Sequence, residues 1–179
     1  MNVEHAEIAR HASPLASCAG YRPVQIGASP AIVERREDSW LIRSSEALGA
    51  YPERLTDRLL SGAKAHPDRW LVARRDVEGT WVGISYADML ARARSIGQAL
   101  LNHNLSADRP LAILSGNDLE HIQMALGAMW AGIPYVPVSP AYSLMSTDFG
   151  KLKHAFDLLT PGLVYVSDAA AYARAIDKA

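Results

Sequence analysis

The chain has 179 residues and a single cysteine, Cys18. No disulfide framework and no thiolate metal cage can therefore be built from it. Its charges nearly cancel: 18 Lys and Arg against 19 Asp and Glu leave a net −1. No global field favours nucleic acid or an anionic membrane, so neither is expected as a partner. No stretch approaches the ~18 uninterrupted apolar residues of a membrane span. Residues 1–20 carry Glu4, His5, Glu7, Arg10 and His11 where a signal peptide needs an apolar core, so a cytoplasmic protein is expected. The 12 glycines are dispersed, and no segment has the small-residue density that lets backbone N–H groups wrap a phosphate.

Several site types fail for the same kind of reason. Gly150-Lys151 resembles the end of a phosphate loop, but Leu152 stands where Ser or Thr would meet magnesium, and Met145 where the first glycine belongs. The turn Ser115-Gly116-Asn117-Asp118 has one glycine and an acid, which does not suit a dinucleotide. Gly27-Ala28-Ser29-Pro30-Ala31 lacks the last glycine of a nucleophile elbow. Histidines 5, 11, 66, 103, 121 and 154 show no metal-ligand spacing, and His121 and His154 are expected on helix surfaces.

What the chain does have is apolar patterning. Its length fits about one domain burying roughly 70% of the unfolded surface. The organising stretch is residues 117–142. Asn117 is expected to cap a helix, with Glu120 completing a capping box and Asp118 favouring the positive end. Leu119, Ile122, Met124, Ala125, Leu126, Met129 and Trp130 place apolar groups on nearly every face, as in a buried helix. Gly132 is placed to end it in the left-handed conformation. Pro134-Tyr135-Val136-Pro137-Val138 then reads as a short buried strand, and Leu111-Ala112-Ile113-Leu114 as the strand before the helix. Strand, helix, strand with short links makes a parallel, right-handed βαβ unit.

Residues 1–20 are expected to form a flexible arm. Val24-Gln25-Ile26, Ala31-Ile32-Val33-Glu34 and Trp40-Leu41-Ile42-Arg43 read as a small antiparallel meander. Pro52 suits the first turn of a helix that stops before Pro67. Residues 70–75 and 80–84 make a hairpin, and Ser85 caps a helix with a stripe at Tyr86, Leu90, Ala93, Ile96, Gly97 and Leu100. After a loop, Ser146 or Thr147 opens a helix in which Gly150 costs about 1 kcal/mol. Leu163-Val164-Tyr165-Val166 is a third parallel strand, and Asp168 caps a last helix. The fold class is thus α/β: a three-layer, partly parallel βαβαβ half flanked by helices and preceded by a small antiparallel meander and hairpin.

Ala131-Gly132-Ile133-Pro134-Tyr135-Val136-Pro137-Val138 resembles the "AGxxYVPxxP" signature of the adenylate-forming acyl-CoA synthetase superfamily. Ile84-Ser85-Tyr86-Ala87-Asp88-Met89-Leu90 resembles its "(S/T)Y-x-E-L" motif. Ser139-Pro140-Ala141-Tyr142-Ser143-Leu144, with Leu158-Leu159-Thr160-Pro161-Gly162-Leu163-Val164, is similar to the bacterial feruloyl-CoA synthetase branch.

The resemblance implies that residues 21–179 form the N-terminal portion of an AMP-binding (adenylation) domain, truncated before its phosphate loop. The full-length enzyme would use ATP, Mg2+ and CoA to activate ferulate or a related aromatic acid through an acyl-adenylate. Nothing is expected bound to this portion alone, and it is expected to be inactive. Another aryl- or fatty-acyl-CoA ligase, or a non-catalytic interaction module, fits the same residues. An apolar face where further strands would pack gives a homodimer as a further expectation. Open α/β sheets bind ligands outside the carboxyl ends of their strands, where residues 115–118, 139–145 and 167–172 should meet. By resemblance, Pro140, Ala141 and Tyr142 border the CoA path there, and Arg174 reaches the CoA 3′-phosphate.

Overall fold

A computed structural model describes residues 31–179, in two compact units: one ends at Tyr51 and the other runs from Pro52 to Ala179. The expected arm and the strand expected at residues 24–26 lie outside the described residues. In the first unit, β1 (Ala31–Arg35) and β2 (Trp40–Ser44) pair antiparallel with Arg35 opposite Trp40. Two strands alone are marginal in water, and side-chain pairs across the ladder support this one. The Arg35 guanidinium lies 5.6 Å from the Trp40 ring centre, and Arg43 pairs with Glu34 at 3.0 Å.

The second unit opens with α1 (Leu55–Ala65). Its start corrects the expectation for Pro52, which lies outside the helix. The Asp57 carboxylate accepts the Arg54 N–H at 3.1 Å, which fixes Arg54 as the flanking residue and Leu55 as the first helical one. β3 (Trp70–Arg75) and β4 (Trp81–Ser85) form the expected hairpin. Its loop is closed by the Asp76 carboxylate, which accepts from the N–H groups of Glu78 and Thr80, and by Gly79 at φ +83°. Ser85 caps α2 (Tyr86–Leu101) as expected, taking the Asp88 N–H at 3.1 Å. Ala93, Gly97 and Leu100 of its stripe are buried, joined by Met89.

Next come β5 (Leu111–Leu114), α3 (Leu119–Ala131) and β6 (Tyr135–Val138), then α4 (Ala141–Leu144), α5 (Gly150–Leu159), β7 (Leu163–Val166) and α6 (Ala169–Lys178). The sheet order is β6-β5-β7, all parallel, with Leu111 level with both Tyr135 and Leu163. Right-handed crossovers that run in opposite directions along the sheet, from β5 to β6 and then from β6 back past β5 to β7, must lie on opposite faces. They do. Leu111 and Ile113 pack with Ala125 and Ala128 of α3, whereas Ala112 and Leu114 pack with Leu152 of α5 and with Tyr172 and Ala175 of α6. The period-2 alternation of one fully buried strand thus serves two cores, which gives the three layers. Pro137 is accommodated because, among the described residues, β6 has only β5 beside it in this sheet.

Three further helix starts depart from expectation. Asp118, not Asn117, caps α3: its carboxylate accepts the His121 N–H at 2.7 Å, which leaves Glu120 in the first turn and forms no Asn117–Glu120 box. A charged cap also complements the helix dipole better than an amide does. Gly150 is the first residue of α5, following Phe149 at φ +56°, so the cost of an interior glycine does not arise. The loop expected after β6 contains a helical turn, α4. Gly132 ends α3 at φ +72°, as expected.

Candidate functional site

The topology puts a switch point between β5 and β7, because the chain leaves β5 for β6 and then crosses back to β7. The ends of the two strands are tied together where the Ser167 N–H donates to the Leu114 carbonyl at 3.3 Å. Helices α3 and α6 begin just beyond, and each carries its own acid. Asp118 caps α3, and the Asp168 carboxylate accepts from the N–H groups of Ala170 and Ala171. One N–H at the start of α3 and two at the start of α6 are therefore already engaged. Burial raises the Tyr165 phenol above its ordinary value, with the Asp118 and Glu120 carboxylates adding to it. Burial likewise raises Tyr172, helped by Asp118 and Asp168. Both phenols stay neutral at physiological pH, in a setting whose charges are acidic. Phosphate is disfavoured beside these two phenols, where Asp118, Glu120 and Asp168 gather.

Ser115, at the end of β5, is only 3% exposed. Its Oγ lies 2.6 Å from Nδ1 of His121 and 3.2 Å from the Gly116 carbonyl. His121 is half-buried, which corrects the expectation of a surface histidine. No described carboxylate hydrogen-bonds the imidazole, so the pair lacks the third group that would orient a base. It fastens the strand to the helix.

The third expected segment lies beside β6. Pro140 precedes α4, Ala141 is exposed and Tyr142 half-buried; the Tyr142 ring packs on the cluster holding Phe149 and Tyr172. Helix α4 touches both α5 and α6. Arg174 of α6 lies with its guanidinium 5.4 Å from the Phe149 ring centre and reaches 3.5 Å from the Thr147 carbonyl. A cleft of about 430 Å³ runs from Ala141 and Tyr142 across Ser146 and Asp148 to Gly150 and Lys151. That volume is in the range of small-molecule sites. The sequence neighbours of Lys151 do not make a phosphate loop, yet in the fold its Nζ stands 5.4 Å from the Tyr142 ring centre. No signal in the sequence points to this, since the two residues sit on separate helices. A smaller cleft, of about 220 Å³, is lined by Arg74, Asp76, Arg92 and Glu120 among others, and those four charges cancel.

Among the described residues no cluster of His, Cys, Asp and Glu could hold a metal, and none of their helices is long and apolar enough to cross a membrane. The sequence has no glycine-rich loop to cradle a triphosphate, so the residues present do not fit ATP with Mg2+.

A family model described as AMP-binding enzyme matches residues 60–160, from α1 through α5. A linear gramicidin synthase of Brevibacillus parabrevis is 30% identical over 113 residues, which are 62% of this chain and 1% of that protein. Among solved structures, VinN superposes with a TM-score of 0.58 at 23% identity, covering 73% of this chain and 31% of VinN. The fatty acyl-adenylate ligase from L. pneumophila superposes with a TM-score of 0.56 at 21% identity, covering 63% of this chain and 19% of that ligase. At such identities the likeness of these structures is one of fold. The chain spans well under half the length of each of these proteins.

Proposed function

The chain belongs to the AMP-binding enzyme family, whose model matches 101 of its 179 residues (60 through 160), and on that premise we propose that it forms the N-terminal portion of an adenylation domain in an acid–thiol ligase. The observation that carries the reading is the β6-β5-β7 sheet with helices on both faces, reached through a hairpin and helix within the span that the family model matches. The ligase would join a carboxylic acid to AMP from ATP with release of pyrophosphate, then pass the acyl group to the thiol of CoA. Ferulate or a related hydroxycinnamic acid is the proposed acid, supported by residues 139–144 and 158–164.

Within this chain the proposed contribution is to the thiol acceptor. Pro140, Ala141 and Tyr142 border a path for the CoA nucleotide, with Arg174 on the neighbouring helix. The 179 residues by themselves are proposed to be inactive, since nothing in them holds a triphosphate. ATP–pyrophosphate exchange in the protein translated from the whole reading frame, with a panel of aromatic and fatty acids, tests this. Exchange is expected with hydroxycinnamates above the others. Exchange with fatty acids alone would remove the substrate assignment, and none with any acid would remove the reading.

A further inference from the structure

The smaller cleft opens between the β3–β4 hairpin and the two helices it packs on. Side chains alternate across a strand, so Val72 and Arg74 of β3 share the inner face with Val82 and Ile84 of β4. Val72 and Ile84 pack with Met89, Ala93 and Leu119, whereas Arg74, nearer the loop, lines the cleft beside Asp76. Arg92 of α2 and Glu120 of α3 line it from the helices, and the buried Ile84 and Leu119 give it an apolar floor.

Two guanidiniums and two carboxylates share this cleft, yet among the described residues no ion pair joins any of them. Asp76 holds the hairpin loop through the N–H groups of Glu78 and Thr80, and Arg92 gives one N–H to the Gln123 amide oxygen at 3.0 Å. Arg74 and Glu120 have no partner among the described residues, which leaves one cation and one anion open to the same space. A lining whose charges cancel does not suit a phosphate or a metal ion. It suits a ligand that is neutral overall and carries both signs. At about 220 Å³ the cleft is smaller than the ~300 Å³ at which sites for drug-sized ligands begin, too small for a nucleotide.

We propose that this cleft binds a free α-amino acid with an aliphatic side chain. The Arg74 guanidinium takes the carboxylate, Glu120 takes the ammonium, and the side chain lies on Ile84 and Leu119. A guanidinium fork matches a carboxylate at two points, which orients the ligand. None of the lining residues is among those given to CoA above, so neither result of the test bears on the ligase reading.

The test is an NMR titration of the 179-residue chain with leucine, leucinamide and N-acetyl-leucine, read at the Gly83 N–H, since Gly83 also lines the cleft. Leucine is expected to shift that signal and to bind roughly tenfold more tightly than either blocked form, the size of one charge-assisted contact. The two charges should then separate by variant. Arg74→Gln should cost leucine about tenfold and leave leucinamide, which has no carboxylate, unchanged. Glu120→Gln should cost leucine about as much and leave N-acetyl-leucine, which has no ammonium, unchanged. Lys153→Gln, on α5 and outside the cleft, is the control, and matching melting temperatures show that the variants are folded. No shift at Gly83, equal binding of the three ligands, or equal losses for both blocked forms in each variant would overturn the inference. So would a stability coupling between Arg74 and Glu120 in the ligand-free chain as large as that of a direct ion pair, since the two charges would then satisfy each other.

Discussion

Ser115 Oγ and His121 Nδ1 stand 2.6 Å apart across the turn that joins the central strand to the following helix. The contact spans six residues and fixes how α3 leaves the sheet. His121→Ala is expected to cost about 1 kcal/mol, the usual net worth of one hydrogen bond, because Ser115 keeps the Gly116 carbonyl as a second partner. Denaturant midpoints for His121→Ala, Ser115→Ala and the double variant should show coupling of roughly 0.5 kcal/mol or more. Additive losses would mean that the pair is only a neighbourly contact.

Gly127 lies where α2 and α3 approach. A Cβ built there falls on the Ile96 side chain, and one at Gly97 would meet the Gly127 carbonyl at 3.0 Å. Gly127→Ala should therefore destabilise by about 1–3 kcal/mol, despite alanine's better helix propensity. Ile96→Ala in the same chain should return part of that loss, since it removes Cγ2 but keeps Cβ. A stabilised Gly127→Ala variant would show that the two helices are not in close contact.

The Asp148 carboxyl is held below its ordinary value, first by the Gly150 N–H and then by the Ser146 hydroxyl, against a smaller opposing effect of burial. A carboxyl whose folded value is depressed lends stability that is present above the unfolded value of 3.8 and lost as the pH falls through the folded value. The melting-temperature gap between the natural chain and Asp148→Ala should be full at pH 6 and shrink by about pH 3. A gap unchanged with pH would show that the Asp148 charge does not hold the Gly150 N–H in place.

Ser143 Oγ is the one buried side-chain polar atom without a hydrogen-bond partner among the described residues. A buried hydroxyl so placed costs its desolvation and returns nothing. Ser143→Ala should leave stability unchanged or raise it by up to about 1 kcal/mol. A loss of that size would mean that the hydroxyl is bonded in solution.

The sequence made the sheet legible where composition alone decided the outcome. Leu111-Ala112-Ile113-Leu114 has no polar atom to put on a surface, and Gly132 is the residue that fits φ +72°. Caps were harder to read, because Asn117 and Asp118 are both good ones and only the observed bond to His121 chooses between them. The Ser115–His121 contact was missed because histidine spacing along one helix says nothing of a partner back across a turn. The Tyr142–Lys151 pairing was missed because it depends on how α4 and α5 pack, which periodicity within either helix does not report. The carboxyl end of the three strands was thus legible as a place, and the side chains that touch there were not.

ATP–pyrophosphate exchange by the purified 179-residue chain, supplied with ferulate and Mg2+, puts the central claim most directly at risk. No exchange above background is expected on the proposed reading, in which these residues are a portion of an adenylating domain that does not itself hold the triphosphate. Turnover by this chain alone would contradict that claim.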